Sequence, residues 1–190
     1  MSAAVLMKRI EEASPRLRAR IAGGLYLFSL LTAAFAELFL RGTLGVAIAL
    51  IAVSGMTVMT LLVYTIFKAV SRGLSLLAAF ASVVGLTFEA IRLQPRGVNI
   101  AIACSGFYCL LIGYLLFRST FLPRILGVLM AIAGLGWLTF VSPPLADSLS
   151  PYNLACGILG EGLVFLWLLV MGVNAQRWTE QAGAQRASSA

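Results

Sequence analysis

Residues 44–67 read LGVAIALIAVSGMTVMTLLVYTIF, twenty-four positions without one charged side chain. A helix needs roughly 20 predominantly apolar residues to cross the hydrocarbon layer of a bilayer, so this stretch predicts a transmembrane helix. It has neighbours of the same kind. The spans expected from hydropathy are Ile21–Leu40, Leu44–Phe67, Leu74–Ile91, Val98–Phe117, Leu122–Val141 and Tyr152–Val173. Together they leave a basic tail at 1–20, a membrane domain at 21–173 and a second tail at 174–190. The strict alternation of a membrane barrel strand is absent. The expected fold class is therefore all-α, a polytopic six-helix bundle.

Composition agrees. The chain is 61% hydrophobic and 11% charged, with mean hydropathy +0.98. A soluble domain lies nearer half apolar and a quarter charged. The net charge of +7 does not indicate nucleic-acid binding, because no folded soluble surface remains to carry a phosphate-binding stripe. Membrane orientation accounts for it instead. Eleven basic residues fall on one side: Lys8, Arg9, Arg16, Arg18, Arg20, Lys68, Arg72, Arg118, Arg124, Arg177 and Arg186. Three fall on the other: Arg41, Arg92 and Arg96. The positive-inside rule then predicts both termini in the cytoplasm. Ala34-Phe35-Ala36 resembles a signal-peptidase site, but the apolar run continues past it to Leu40, so an uncleaved first span is expected.

The connections are short. Arg41-Gly42-Thr43, Lys68–Gly73, Arg92–Gly97 with Pro95, and Arg118–Phe121 before Pro123 each turn the chain back. Short connections make sequential helices antiparallel neighbours. The longest loop, Ser142 to Pro151, holds three prolines and Asp147. Small residues recur at helical spacing, the pattern that lets helices approach closely in lipid. The stripes are Ser75, Ala78, Ser82, Gly85, then Glu89; Asn99, Ala103, Gly106, Gly113; Asn153, Gly157, Gly160, Glu161; and Gly23, Leu27, Leu30, Ala34, Glu37, Arg41. All four are expected to face inward.

The chain contains no histidine. That removes His-ligated metals and haems and the usual Ser–His and Cys–His nucleophiles. The two lysines, Lys8 and Lys68, are not placed to activate an intramembrane serine. Cys104, Cys109 and Cys156 lack metal-ligand spacing; a Cys104–Cys156 disulfide is an alternative to plain packing. No cofactor or metal set is read.

The acids are more informative, since a charged group at the bilayer centre costs about 2.5–3.5 kcal/mol on insertion scales. Glu37 precedes Arg41 by four residues and Glu89 precedes Arg92 by three, spacings at which side chains meet on one helix face. Glu161 lies nine residues into the last span, about 13 Å deep at the helical rise, with no basic residue within a turn. Ser54, Thr57 and Thr60 are its candidate partners from the second span. The expected site is an outward-facing polar pocket, with Glu161 at the floor and Glu37, Glu89, Arg41 and Arg92 towards the rim. Tyr26, Tyr152 and Trp178 fit interfacial belts; Trp137 and Trp167 lie deeper.

Arg20–Tyr26 (RIAGGLY), Gly113–Gly127 (GYLLFRSTFLPRILG) and Leu159–Leu163 (LGEGL), leading to Gly172-Val-Asn174, resemble a bacterial membrane family known as a domain of unknown function (DUF four-three-eight-six). The resemblance runs over about residues 20 to 175. It implies a six-helix integral membrane protein and no established activity. Three function classes follow from the residues. One is a carrier of a small molecule, proton-linked through Glu161. Another is a structural or accessory subunit that binds a further membrane protein; a homo-oligomer is a separate expectation. An intramembrane lipid-modifying enzyme ranks last. The lipid bilayer is the partner common to all three.

Overall fold

The computed structural model describes residues 14–92 and 98–187. Lys8, Arg9, Pro95 and Arg96 lie outside them. Eight α-helices are described: α1 Pro15–Phe39, α2 Gly42–Phe67, α3 Arg72–Ala90, α4 Ile100–Arg118, α5 Arg124–Leu138, α6 Pro143–Leu149, α7 Tyr152–Val170 and α8 Ala175–Ala187. Six of them, α5 together with its 3-10 continuation to Val141, are long and apolar enough to cross a membrane. The described residues contain no strand.

The spanning helices form a closed ring. Each packs on its sequence neighbour from α1 to α5, α5 packs on α7, and α7 closes back on α1. The two ends of the bundle are therefore distinct. One bears the start of α1 and all of α8, and is called here the tail end. The far end carries the α1–α2 turn, the α3–α4 connection and α6.

Local chemistry sets the helix limits. Ser14 Oγ accepts the Leu17 N–H at 3.2 Å, and Pro15 opens the helix, where its missing N–H costs nothing. So α1 begins six residues before the apolar run, and Arg16, Arg18 and Arg20, read from sequence as tail, are helical. Hydropathy registers their charge; the cap decides where the helix starts. Arg20 Nη2 reaches the Val170 carbonyl at the end of α7, at 2.9 Å. Ser142–Pro151 is not an open loop but holds α6, which Asn153 fastens by donating to the Thr139 hydroxyl (3.0 Å) and the Ala146 carbonyl (3.1 Å).

The second tail is helical over Ala175–Ala187. α8 lies across the tail end, where helices α2 and α4 leave C-terminal carbonyls without intrahelical donors. Trp178 Nε1 donates to the Ile66 carbonyl at 2.8 Å. Gln181 accepts from Thr120 N and Oγ1, both at 2.9 Å, and donates to the Arg118 carbonyl at 3.1 Å. Trp178, read as an interfacial-belt residue, is thus a clamp, with Arg18 5.0 Å above its ring.

The backbones of α4 and α5 approach closely. A Cβ on Gly127 would stand 2.9 Å from the Gly113 carbonyl, and one on Gly134 would stand 2.9 Å from the Gly106 carbonyl. With little hydrophobic drive between helices in lipid, such close packing carries the association. The inward stripes on α3, α4 and α7 are seen in the buried Ser75, Ala78, Gly85, Ala103, Gly106, Gly113, Asn153, Gly157, Gly160 and Glu161. Glu89, at the end of the α3 stripe, is exposed, and the α1 stripe is corrected beyond Gly23, which is buried against α7. Ala34 and Glu37 are exposed, and the buried face of α1 runs through Ala22, Tyr26 and Ser29, because α1 is packed by both α2 and α7. The bundle's outer surface is apolar, with Phe28, Leu31, Leu38, Phe80, Leu135 and Leu159 all exposed. An apolar surface of that extent suits lipid rather than water.

All three cysteines are unbridged. Cys104 faces Gly85 of α3 and Cys156 faces Gly136 of α5, so the two sit in different interfaces and the Cys104–Cys156 disulfide does not form.

Gly127→Val forces α4 and α5 apart and should lower stability by about 1–3 kcal/mol, measured by thermal unfolding in detergent through tryptophan fluorescence. Gly162→Ala, with nothing within 4 Å of the added Cβ, should lose no stability. Equal melting temperatures for the two variants would contradict the glycine contact.

Candidate functional site

The structure separates the expected pocket into two sites. Glu161 occupies the first, in the middle of the bundle, and is 8% exposed. Tyr26 of α1 donates its hydroxyl to Glu161 Oε2 at 2.7 Å. Cys109 of α4 donates its thiol to Oε1, also at 2.7 Å. The Tyr26 ring stacks on Phe165, one turn along α7 from Glu161, with centroids 4.1 Å apart and planes 10° apart. The stacking fixes the direction of the phenol, and with it the hydrogen bond. Trp137 of α5 brings its indole N–H within electrostatic reach of the carboxyl, yet that buried nitrogen has no hydrogen-bond partner. Side chains of three helices thus converge on a carboxyl carried by a fourth. Beside them, Tyr108 turns its hydroxyl to Met59 Sδ at 3.9 Å.

The hydroxyl residues of α2 are not its partners. Ser54 and Thr57 bond to their own helix, at the carbonyls of Leu50 and Val53, as hydroxyls in apolar helices commonly do. Thr60 pairs with Ser82 of α3 at 2.8 Å. Tyr26, in turn, is not an interfacial residue: it is 3% exposed. Counting from the observed helix ends shows why. Tyr26 is eleven residues from the start of α1, Cys109 nine from the end of α4 and Glu161 nine from the end of α7. All three are therefore about 13–16 Å from the tail end. A first span starting at Ile21 makes Tyr26 look shallow, and that is how it escapes sequence reasoning. Cys109 passes for a small apolar gap-filler; matching its depth to that of Glu161 is the signal that could have found it.

The second site is a cavity of about 270 Å³ at the far end, enclosed by α1, α2, α3 and α4. Its walls are mainly apolar, with Leu30, Val53, Met56 and Ile102 among them. Glu37, Glu89 and Arg92 line it too. Arg41 sits in an adjoining recess that also touches Glu37 and Arg92. Four of the five expected site residues are thus brought together, and Glu161 does not line the cavity. Near its floor is Ser29, fully buried, with a hydroxyl that has no partner. One turn of α1 separates Ser29 from Tyr26 and so from the Glu161 cluster.

The ion pairing at the mouth also differs from the sequence expectation. Glu37 pairs not with Arg41 on its own helix but with Arg92 beyond the end of α3, Oε1 to Nη2 at 2.7 Å. The i,i+4 spacing allows the local pair. The chain instead turns at Arg92, with φ 51°, a left-handed conformation that non-glycine residues adopt infrequently, and its side chain crosses to α1. Among the described residues Arg92 has its ion pair with Glu37 and none with Glu89. Both members of the Glu37–Arg92 pair are more than half exposed, 61% and 55%, so its contribution to stability is small and its significance lies in its position across the cavity mouth.

Chemically, the central cluster can hold a carboxyl and exchange its proton. Among the described residues no group of three or more His, Cys, Asp or Glu could hold a metal ion. The cavity can take a small, mostly apolar body with a polar end.

The model of a family described as Domain of unknown function (DUF4386) matches residues 86–172. The match includes Glu89, Arg92, Cys109 and Glu161 but not Tyr26 or Glu37. No curated protein and no solved structure matches the chain.

Tyr26→Phe leaves Glu161 Oε2 buried without its donor and should cost about 1–3 kcal/mol in detergent unfolding. Glu37→Gln breaks an exposed pair and should cost under about 1 kcal/mol. Should the two losses come out in reverse order, Glu161 is not held as described.

Proposed function

We propose that this chain is a multi-pass protein of a bacterial cytoplasmic membrane, with both termini in the cytoplasm, and that it works as a proton-linked carrier of a small molecule. The orientation follows from the concentration of Lys and Arg at the tail end; the far-end cavity then opens outward. The observation that carries the reading is the stacking of two features along α1: an apolar cavity edged by Glu37 and Glu89, and, one turn deeper, a carboxyl with no cation beside it. Intramembrane carboxyls with no permanent counter-ion mark proton and substrate pathways. Among the described residues two carboxylates and one guanidinium line the cavity, and the solute we favour is a small cation with an apolar body. Glu37 and Glu89 would meet its charge, and Arg92, released from Glu37, would let it pass. Glu161 would give up or take a proton as the cavity fills and empties.

A second reading has its own support. Glu161 bonds to α1 and α4 and does not line the cavity, which suits a carboxyl that locks helices in a structural or accessory subunit.

The two readings separate in liposomes. Tetraethylammonium is a suitable probe cation. For a carrier, uptake by the reconstituted protein should depend on an imposed pH gradient, and Glu161→Gln should abolish that dependence with little change in melting temperature. Uptake no faster than in protein-free liposomes would sink the carrier reading for such cations. A Glu161→Gln variant that merely melts early would leave the structural reading standing.

A further inference from the structure

The floor of the far-end cavity holds a hydrogen-bond donor that the protein itself does not use. Along the four walls, the residues reaching deepest into the bundle are Ser29 of α1, Met56 of α2, Gly85 of α3 and Ser105 of α4. Met56 and Gly85 offer no side-chain donor. Ser105 gives its hydrogen to the Ala101 carbonyl at 3.2 Å. Ser29 is fully buried, and its hydroxyl has no partner.

Other hydroxyls in these helices are spent on their own backbone. Ser54, Thr57, Thr87 and Ser105 each donate to the carbonyl four residues back. The corresponding carbonyl for Ser29 is that of Leu25, and that bond is not made. Gly55 of α2 permits this. A Cβ there would collide with the Ser29 oxygen, so the bare backbone leaves room for the hydroxyl to stand away from its own helix. The hydroxyl hydrogen turns about its bond to suit an acceptor. A buried hydroxyl without a partner costs stability. Leu30, Val53 and Met56, the wall residues flanking Ser29 and Gly55, are apolar, so a water beside Ser29 would find few of the polar partners that an ordered water needs. A solute that brings its own acceptor satisfies the hydroxyl better.

We infer, on the premise that this cavity takes the cation proposed above, that Ser29 donates to an oxygen at the end of the solute remote from its charge. Glu37 lies eight residues along α1 from Ser29, about 12 Å at the helical rise. The solute class is thus an elongated organic cation. Its charge would meet Glu37 and Glu89 at the mouth, its apolar middle would lie against Leu30 and Ile102, and an ether, carbonyl or hydroxyl oxygen would reach the floor.

The test is isothermal titration calorimetry on the full chain in detergent with two probe cations of equal length. One is heptyltrimethylammonium; the other is its isostere with an ether oxygen in place of a methylene near the end of the chain. Wild type should bind the ether at least as tightly as the hydrocarbon. In Ser29→Ala the ether oxygen would be buried without a donor, so the ratio of the two affinities should move about tenfold towards the hydrocarbon. The melting temperature should not fall, because the variant removes a hydroxyl that bonds to nothing in the protein. Glu89→Gln should weaken both cations alike and leave their ratio unchanged. A ratio that Ser29→Ala does not move would overturn the role of Ser29 and leave the carrier reading standing. Binding of neither cation, or binding that Glu89→Gln does not weaken, would overturn the cavity as a cation site and the role of Ser29 with it.

Discussion

A polar group carried into the hydrocarbon layer must find its partners inside the protein, because no water is there to supply them. Glu161 is the strongest instance in this chain. Its carboxyl sits near the middle of the bundle and takes one hydrogen bond from α1 and one from α4. It is itself carried on α7, and the Trp137 indole of α5 faces it. Those helices are not all sequence neighbours. α7 must close back on α1 for Tyr26 to arrive, and the ring is thereby tied across its interior. The glycine contacts of α4 and α5 let the helices come close; the carboxyl makes one particular arrangement of them the satisfied one.

The same constraint shapes the periphery. Hydroxyls on α2 turn to their own backbone or to Ser82, so none is left to compete for Glu161. At the tail end, α8 supplies donors to carbonyls of α2 and α4. At the far end, where charged groups reach the boundary, an exposed ion pair suffices, and Arg92 spans the cavity mouth to Glu37. The Glu161 carboxyl deep in the bundle is thus built in, while the Glu37–Arg92 pair at the rim is exposed. The carrier proposed above would draw on that gradient, with a fixed interior below the paired residues of the mouth.

The fold was legible in the sequence because hydropathy reports the energy of placing each segment in lipid. The stretch 44–67 has no alternative, and the short connections dictate antiparallel neighbours. Helix limits were less legible. Ser14 and Pro15 begin α1 within a stretch that hydropathy scores as polar tail, and the helix α6 hides among prolines. Of the site, the sequence marked Glu161 as costly and placed Glu37, Glu89, Arg41 and Arg92 towards one end, where the structure does bring those four together. It could not reveal that Glu161 stands apart from the cavity, since the rotation of α7 about its axis is set by packing on α1 and α5. It also favoured local pairs, Glu37 with Arg41, over the cross-helix pair with Arg92, which depends on a backbone turn that no spacing rule encodes. Tyr26 and Cys109 escaped because residue type suggested ordinary roles for both, and their shared depth emerges once the helix ends are known.

The most direct test of this account is an infrared difference spectrum of the Glu161 carboxyl, identified by its loss in Glu161→Gln and followed in Tyr26→Phe and Cys109→Ala. The stretching band of a carboxyl or carboxylate moves when a hydrogen bond to it is removed. The account predicts that each substitution shifts the Glu161 band, and that the two shifts differ, because the donors engage different oxygens. A band at the same position in wild type and both variants would mean that neither side chain bonds to Glu161, and that the carboxyl does not tie the ring together.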